Sequence, residues 1–154
     1  MRRKSGHLLK ASLIERSTLL AHIRDGLGAL NRNDVRLVAD TERAKIEDSL
    51  DLDAASANQH PEENRWDYIL SVPSLSQLVG LEPHPAKDSE IKVVIAKRTK
   101  SLEFLRSHLR AGIHVSQWIW VTRGTVGFSR MEKARRRLDQ SGIRFTGRLL
   151  QNLG

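Results

Sequence analysis

The chain has 154 residues, a length that suits one domain with a hydrophobic core of its own. It has no cysteine, which excludes disulfides and thiolate-bound metals. No apolar run is long enough to predict a signal-peptide core or a membrane span. We therefore expect a single domain over residues 1–154, in a cytoplasmic protein that does not associate with a membrane.

Charge is distributed unevenly along the chain, with 26 basic and 18 acidic residues and a net charge of +8. Residues 40–67 contain nine acidic and three basic residues, a net charge of −6, whereas residues 92–148 contain fourteen basic and three acidic residues, a net charge of +11. A basic half of this kind favours a polyanionic partner, so we expect nucleic acid, with DNA and RNA both open. The alternative is a solvated surface with a high isoelectric point.

The first third of the sequence predicts helices. Leucine and isoleucine recur loosely at helical spacing over residues 8–30, and residues 34–50 have a second, broken apolar face, although residues 35–39 also fit a strand. Residues 51–64 are polar and rich in small side chains, which predicts a loop. We therefore expect a helical N-terminal part over residues 8–50.

The next stretch predicts a β-hairpin. Residues 65–72 and 78–82 are rich in branched and aromatic side chains, and Pro83 cannot donate a hydrogen bond within a sheet, so it ends the second strand. A turn at Ser74 and Leu75 places Asp67 directly opposite Glu82.

The basic half predicts helices that alternate with strands. A helix capped by Asp88 or Ser89 runs to about Arg110 and ends before Gly112, with Arg98 inside its apolar stripe. Residues 117–121 and 125–128 predict a second hairpin, and a helix over residues 131–140 precedes a last strand. Ser129 with Glu132 forms a capping-box pattern at the start of that helix.

These elements together predict an α/β domain, with α+β as the alternative. It would have a small mixed sheet of about four to five strands flanked by helices, and a sheet-plus-helix core over residues 65–150.

The opposed acids are the most informative feature of the hairpin. Like charges that face each other across two strands are destabilising unless one end reaches water or a cation lies between them. Magnesium prefers oxygen ligands and keeps several waters, so Asp67 and Glu82 suffice as its protein ligands. His84 shares a strand face with Glu82, where a neutral imidazole can orient or deprotonate water. The alternative is that Asp67 pairs with Arg65 or Lys87 and that His84 is a loop residue.

Two acids on adjacent strands, followed by a basic position and a helix, resemble the PD-(D/E)XK nuclease superfamily over residues 40–121. The resemblance implies a restriction-endonuclease-like sheet flanked by helices, with Mg²⁺ or Mn²⁺ held by Asp67 and Glu82. His84 stands where the motif has lysine, and Lys97 on the next helix is the basic residue that would take over. An additional upstream acid is common in the family, and Glu47 is the candidate. Two features depart from the pattern: Trp66, not proline, precedes Asp67, and two strands are evident where three are usual.

Side chains that would contact nucleic acid are found in the basic half. The run of three arginines on the last helix suits bidentate phosphate contacts, and its alternative is an ordinary exposed helix face. Trp118 and Trp120 share one face of their strand, where they are either core or a platform for base stacking, and the core is favoured. The expected nucleic-acid-binding residues are Arg123, Lys133, Arg135, Arg136 and Arg137.

The function that these patterns favour is a nucleic-acid-binding protein acting as a divalent-metal-dependent nuclease, which hydrolyses phosphodiester bonds. Two alternatives stay open: a catalytically inactive nuclease-like fold that binds nucleic acid, and an accessory or immunity-type domain that binds a protein through the acidic segment. Glycine-rich phosphate-binding motifs and the nucleophile-elbow motif are absent from the sequence.

Overall fold

The computed structural model describes residues 7–57 and 64–154. The strands in these residues are β1 (Ile23–Asp25), β2 (Asp48–Asp51), β3 (Tyr68–Val72), β4 (Gln77–Pro83), β5 (Ala86–Lys87), β6 (Val115–Val121), β7 (Val126–Gly127) and β8 (Ile143–Phe145). Six of them form a mixed sheet with the strand order β1-β2-β3-β4-β6-β8. Neighbours from β1 to β4 are antiparallel, and β4, β6 and β8 are parallel. A separate parallel pair joins β5 and β7.

The α-helices are α1 (Leu8–Ser12), α2 (Arg32–Val35), α3 (Asp40–Arg43), α4 (Leu52–Ser56), α5 (Ile91–Arg106) and α6 (Met131–Gln140). The two longest make the crossovers between the parallel strands: α5 connects β4 to β6, and α6 connects β6 to β8. Short 3₁₀ helices cover Thr18–His22, Pro73–Leu75 and Asp88–Glu90. None of the helices in this part of the chain is long and apolar enough to cross a membrane.

The sheet has a separate apolar core on each face. One core contains Trp118 and Trp120 with the buried sides of α5 and α6, and the other contains Ile119 with residues of the N-terminal and C-terminal segments. This division follows from strand geometry, because alternate side chains point to opposite faces. Both crossovers progress across the sheet in the same direction, so both long helices lie on the same face.

The α/β class is confirmed, but the sheet is larger than the expected four to five strands. The hairpin register is also confirmed. Tyr68 pairs with Leu81 and Val72 with Gln77, so continuing the register by one residue brings Asp67 opposite Glu82. The second strand ends at Pro83, and the last helix spans Met131–Gln140, as predicted. The sheet also has the third meandering strand, β2, which pairs with β3.

The prediction of a helical N-terminal part over residues 8–50 is wrong for most of that range. Residues 8–30 break after α1, because Leu13 is already extended and Ser17 caps a separate 3₁₀ turn. The segment then becomes β1, and residues 34–50 contain two short helices and β2. The expected loop begins with α4 (Leu52–Ser56), which Asp51 caps through the backbone N–H of Ala54, whereas residues 58–63 lie outside the described chain. Sheet pairing outweighs the weak helical periodicity here.

The prediction of a second hairpin over residues 117–128 is wrong as well. Strand β6 lies between β4 and β8 and is parallel to both, so it has no free edge for a hairpin partner. The segment after it pairs as β7 with β5 instead. The side-chain caps expected at the starts of α5 and α6 do not form. The Ser129 hydroxyl donates a hydrogen bond to the Asp88 carboxylate instead, so these two side chains bond to each other and not to a helix terminus. The long helix ends at Arg106, earlier than Gly112.

Gly80 sits in the central strand β4, two residues before Glu82, at a point where the sheet is tightly covered. A Cβ atom at this position would lie 2.7 Å from Cε3 of Trp118 and 3.2 Å from Cδ1 of Trp66. Both rings are buried and pack edge to face, with centroids 5.3 Å apart, so neither can move aside easily.

We expect Gly80→Ala to lower the free energy of unfolding by roughly 1–3 kcal/mol, because one added methyl overpacks this site. Chemical denaturation measures the change. The matched control is Gly124→Ala, where a Cβ meets nothing within 4 Å and the stability should stay within about 0.5 kcal/mol. Equal stability of Gly80→Ala and the wild type would contradict the packing described above.

Candidate functional site

Glu82 is the centre of the candidate site. Its side chain has no exposed surface, although it lies near the end of a strand. Oε1 accepts a hydrogen bond of 2.8 Å from the backbone N–H of Asp67, and Oε2 accepts one from the Lys97 ammonium. Oε2 also lies 3.1 Å from Nδ1 of His84. A buried carboxylate is costly unless it is paired and hydrogen-bonded, and these three groups meet that requirement.

Asp67 lies beside Glu82 at the start of β3, with 31% of its side chain exposed. Its Oδ1 is 3.6 Å from Nζ of Lys97, so one ammonium group serves both acids. Burial raises the pKa of the Asp67 carboxyl, the charge of Glu82 raises it further, and Lys97 lowers it, with a resulting pKa of about 7. Burial and the charge of Glu82 therefore outweigh the effect of Lys97 on the pKa of Asp67.

Lys97 reaches the acids from α5. Burial by itself lowers the pKa of this lysine, but the charges of Glu82 and Asp67 outweigh burial and raise the pKa above its ordinary value. One turn later, the Ser101 hydroxyl accepts a 2.8 Å hydrogen bond from the backbone N–H of Trp66 and donates a 2.8 Å bond to the Lys97 carbonyl. Ser101 thus fixes the residue before Asp67 against the turn that carries Lys97.

Ser101 was missed by the sequence reasoning. The available signal was its spacing of i+4 from Lys97 on the predicted helix, which places both side chains on one face.

His84 is held between two carboxylates. Its Nδ1 lies 3.1 Å from Glu82, and its Nε2 lies 2.6 Å from Oε1 of Glu90. Burial by itself lowers the pKa of His84, but the hydrogen bonds to Glu82 and Glu90 raise it above its ordinary value. Both ring nitrogens face carboxylate oxygens, and such hydrogen bonds favour the protonated imidazole. A role of His84 as a base stays a prediction, and Glu90 is the partner that sequence reasoning missed.

The other acids and bases considered at this site lie elsewhere. Glu47 is not on a helix and not beside the acids: its carboxylate accepts the backbone N–H groups of His7 and Leu8 at the start of α1. Arg98 does not reach the acid pair either, because its guanidinium carbon lies 5.6 Å from the ring centroid of Trp118. The tryptophans belong to the core, with Trp118 at 2% and Trp120 at 0% exposure, and offer no platform to a base.

The expected nucleic-acid-binding residues are exposed, and Arg123 lies at the end of the sheet that carries the acids. Arg123 follows β6 there, and its Nη1 lies 3.1 Å from Oδ1 of Asp34, a buried acid that also accepts a 2.6 Å hydrogen bond from the Tyr68 hydroxyl. Because α6 crosses from the end of β6 to the start of β8, its first turns lie at the same end of the sheet. The exposed basic side chains on α6 are those of Lys133, Arg135, Arg136 and Arg137.

Magnesium and manganese bind through one or two carboxylates and keep waters and substrate oxygens as further ligands. Asp67 offers a partly exposed carboxylate, whereas both oxygens of the buried Glu82 already accept hydrogen bonds. Within residues 7–57 and 64–154, no group of three or more histidine, aspartate or glutamate side chains is arranged to hold a metal ion.

Comparison of the chain with models of protein families, with curated proteins and with solved structures gives no match.

We expect Lys97→Met to lower the free energy of unfolding by roughly 3 kcal/mol, because it removes the cation from a fully buried carboxylate. Adding Glu82→Gln to this variant should restore most of the loss, since the buried charge is then gone as well. Urea denaturation of the four proteins of this double-mutant cycle measures the coupling. Lys92→Met, at an exposed position of the same helix, is the control and should change stability by less than about 0.5 kcal/mol. Additive effects of the two substitutions would show that the pair is not coupled.

Proposed function

We propose that this protein is a divalent-metal-dependent nuclease of the PD-(D/E)XK type. The observation that carries the proposal is the meeting of Asp67, Glu82 and Lys97, which come from three different elements, at the end of the sheet where Arg123 is exposed. Three antiparallel strands, β2 to β4, followed by helix α5 support it, because the resemblance implies three strands and then a helix.

The roles of the side chains follow from their positions. Asp67 and Glu82 would hold Mg²⁺ or Mn²⁺, with the partly exposed Asp67 on the solvent side. A bound ion would offset the charge on the phosphate oxygens and lower the pKa of a coordinated water. Lys97, a protonated donor beside both acids, would orient the attacking water and add positive charge near the phosphate. His84 would hold Glu82 in place through its bridge to Glu90.

The bonds and protons of phosphodiester hydrolysis can be accounted for without a further reactant. The water oxygen forms a bond to phosphorus, the bond from phosphorus to the leaving oxygen breaks, the water gives up a proton to solvent, and the leaving oxygen takes one up. None of these steps needs His84 as a base, so the replacement of the motif's lysine is compatible with activity as long as Lys97 is present.

The second candidate function is binding of nucleic acid without cleavage. The observation that favours it is that the Lys97 ammonium contacts both acids, so that they form a salt bridge without a metal ion. The same basic surface would bind the polyanion in either case.

We expect purified protein to cleave DNA or RNA in magnesium or manganese and not in EDTA. Asp67→Asn should abolish cleavage, since it removes a metal ligand, while the affinity for nucleic acid stays equal or increases because a negative charge is lost. Asp139→Asn is the control, because it removes the same charge from an exposed position on α6 and should leave cleavage unchanged. Gel assays on labelled single-stranded and double-stranded substrates measure both effects. Binding without cleavage under every metal condition would favour the second candidate function.

A double variant, Arg135→Ala with Arg136→Ala, should weaken nucleic-acid binding and make the logarithmic salt dependence of the affinity shallower by about one to two, since each lost phosphate contact lowers the slope by about one. The matched control is Arg16→Ala with Arg106→Ala, which removes two exposed arginines near the carboxyl end of α5, away from the acids. Fluorescence anisotropy at several salt concentrations measures the slopes. An equal loss in both double variants would indicate that net charge, rather than the α6 surface, determines binding.

A further inference from the structure

A cavity of about 490 Å³ is lined in part by His84, whose ring contacts Glu82, and it has no role in the function proposed so far. One wall is the segment 83–87, which follows β4, and the other is the segment 122–127, which follows β6. It therefore opens at the carboxyl ends of two parallel strands, where open α/β sheets commonly bind their ligands. Its size is in the range of cavities that hold small organic groups.

The walls of this cavity are held by backbone hydrogen bonding. Strands β5 and β7 pair across its base, with Ala86 opposite Val126. The N–H of His84 donates to the carbonyl of Val121 at 2.9 Å, and the N–H of Thr122 donates to that of Gly147 at 2.9 Å. The indole N–H of the buried Trp120 donates to the carbonyl of His84 at 3.0 Å. The cavity is thus preformed rather than a gap between mobile loops.

The lining matches the parts of a nucleotide. Pro83 and Pro85 provide flat apolar surface for a base, and the exposed Lys87 and Arg123 provide positive charge at the rim for its phosphates. The Arg123 guanidinium is already oriented by Asp34. The combination of an apolar wall and a cationic rim favours a nucleotide, because a nucleotide has both an apolar base and charged phosphates.

His84 connects the cavity to the acids, since it lines the cavity and also contacts Glu82 through Nδ1. A nucleotide in the cavity would therefore be next to the phosphate held at the acids. A base that is stacked and paired inside a duplex cannot enter a concave site without being extruded, which costs a few kcal/mol. An unpaired nucleotide avoids this cost.

We propose that the cavity between the segments 83–87 and 122–127 binds one unpaired nucleotide beside the scissile phosphate, so that the preferred substrates carry an unpaired nucleotide rather than an uninterrupted duplex. This inference rests on the proposed nuclease function and specifies the class of substrate for the same site.

The test compares three labelled oligonucleotides of one sequence: a fully paired duplex, the same duplex with one unpaired nucleotide, and the single strand. Dissociation constants are measured in EDTA, which prevents metal-dependent cleavage, and cleavage rates are measured in magnesium. The wild type should bind the duplex with the unpaired nucleotide roughly tenfold or more tightly than the paired duplex. Gly124→Phe and Thr125→Phe, which place a ring at the cavity, should bring this ratio close to one. Ala111→Phe, which adds the same ring at an exposed site near the start of β6, should keep the wild-type ratio.

The outcomes separate the two proposals. A wild-type ratio near one, or a ratio that both cavity-filling variants leave unchanged while circular dichroism shows them folded, overturns the cavity assignment. If the binding ratio is near one and all three substrates are cleaved at equal rates, the nuclease proposal is supported and the cavity assignment is not. A preference that is lost in both filling variants, with no cleavage in magnesium or manganese, supports the cavity and overturns the nuclease.

Discussion

The structure around the candidate site depends on the compensation of one fully buried carboxylate. Glu82 has no exposed surface, and its oxygens are contacted by the backbone of Asp67, the ammonium of Lys97 and the ring of His84. Because an uncompensated charge in this position would cost several kcal/mol, the start of β3, the middle of α5 and the end of β4 must keep their relative positions. The geometry of the site is therefore a requirement of folding as well as of any chemistry.

The sheet topology explains why the acids, the cavity and the basic side chains occupy one region. Strands β4, β6 and β8 are parallel, so their carboxyl ends lie at one end of the sheet, and the antiparallel β3 begins at that same end. This arrangement places Glu82, Arg123 and the cavity walls at the same end of the sheet. The two crossover helices lie on one face of the sheet, and they contribute Lys97 and the arginines of α6.

The charges in this region would suit the phosphodiester chemistry that we propose. Two carboxylates by themselves repel a phosphate, so a nucleic-acid substrate would approach only if cations offset them. Lys97 supplies one such charge, a divalent ion would supply more, and the exposed arginines would attract the rest of the polyanion. In the proposed nuclease, Asp67 from the acidic segment and the arginines of the basic half would act on the same ligand.

The sequence by itself determined the hairpin register and the α6 helix, because these depend on local alternation, helical spacing, and turn and proline signals over short distances. It also determined that Asp67 and Glu82 would be opposed. Tertiary structure alone decided that β6 is a central parallel strand, that β1 and β2 arise from apparently helical segments, and that Asp88 pairs with Ser129 instead of capping a helix. It also decided the roles of Ser101 and Glu90, because their hydrogen bonds join parts of the chain that only folding brings together.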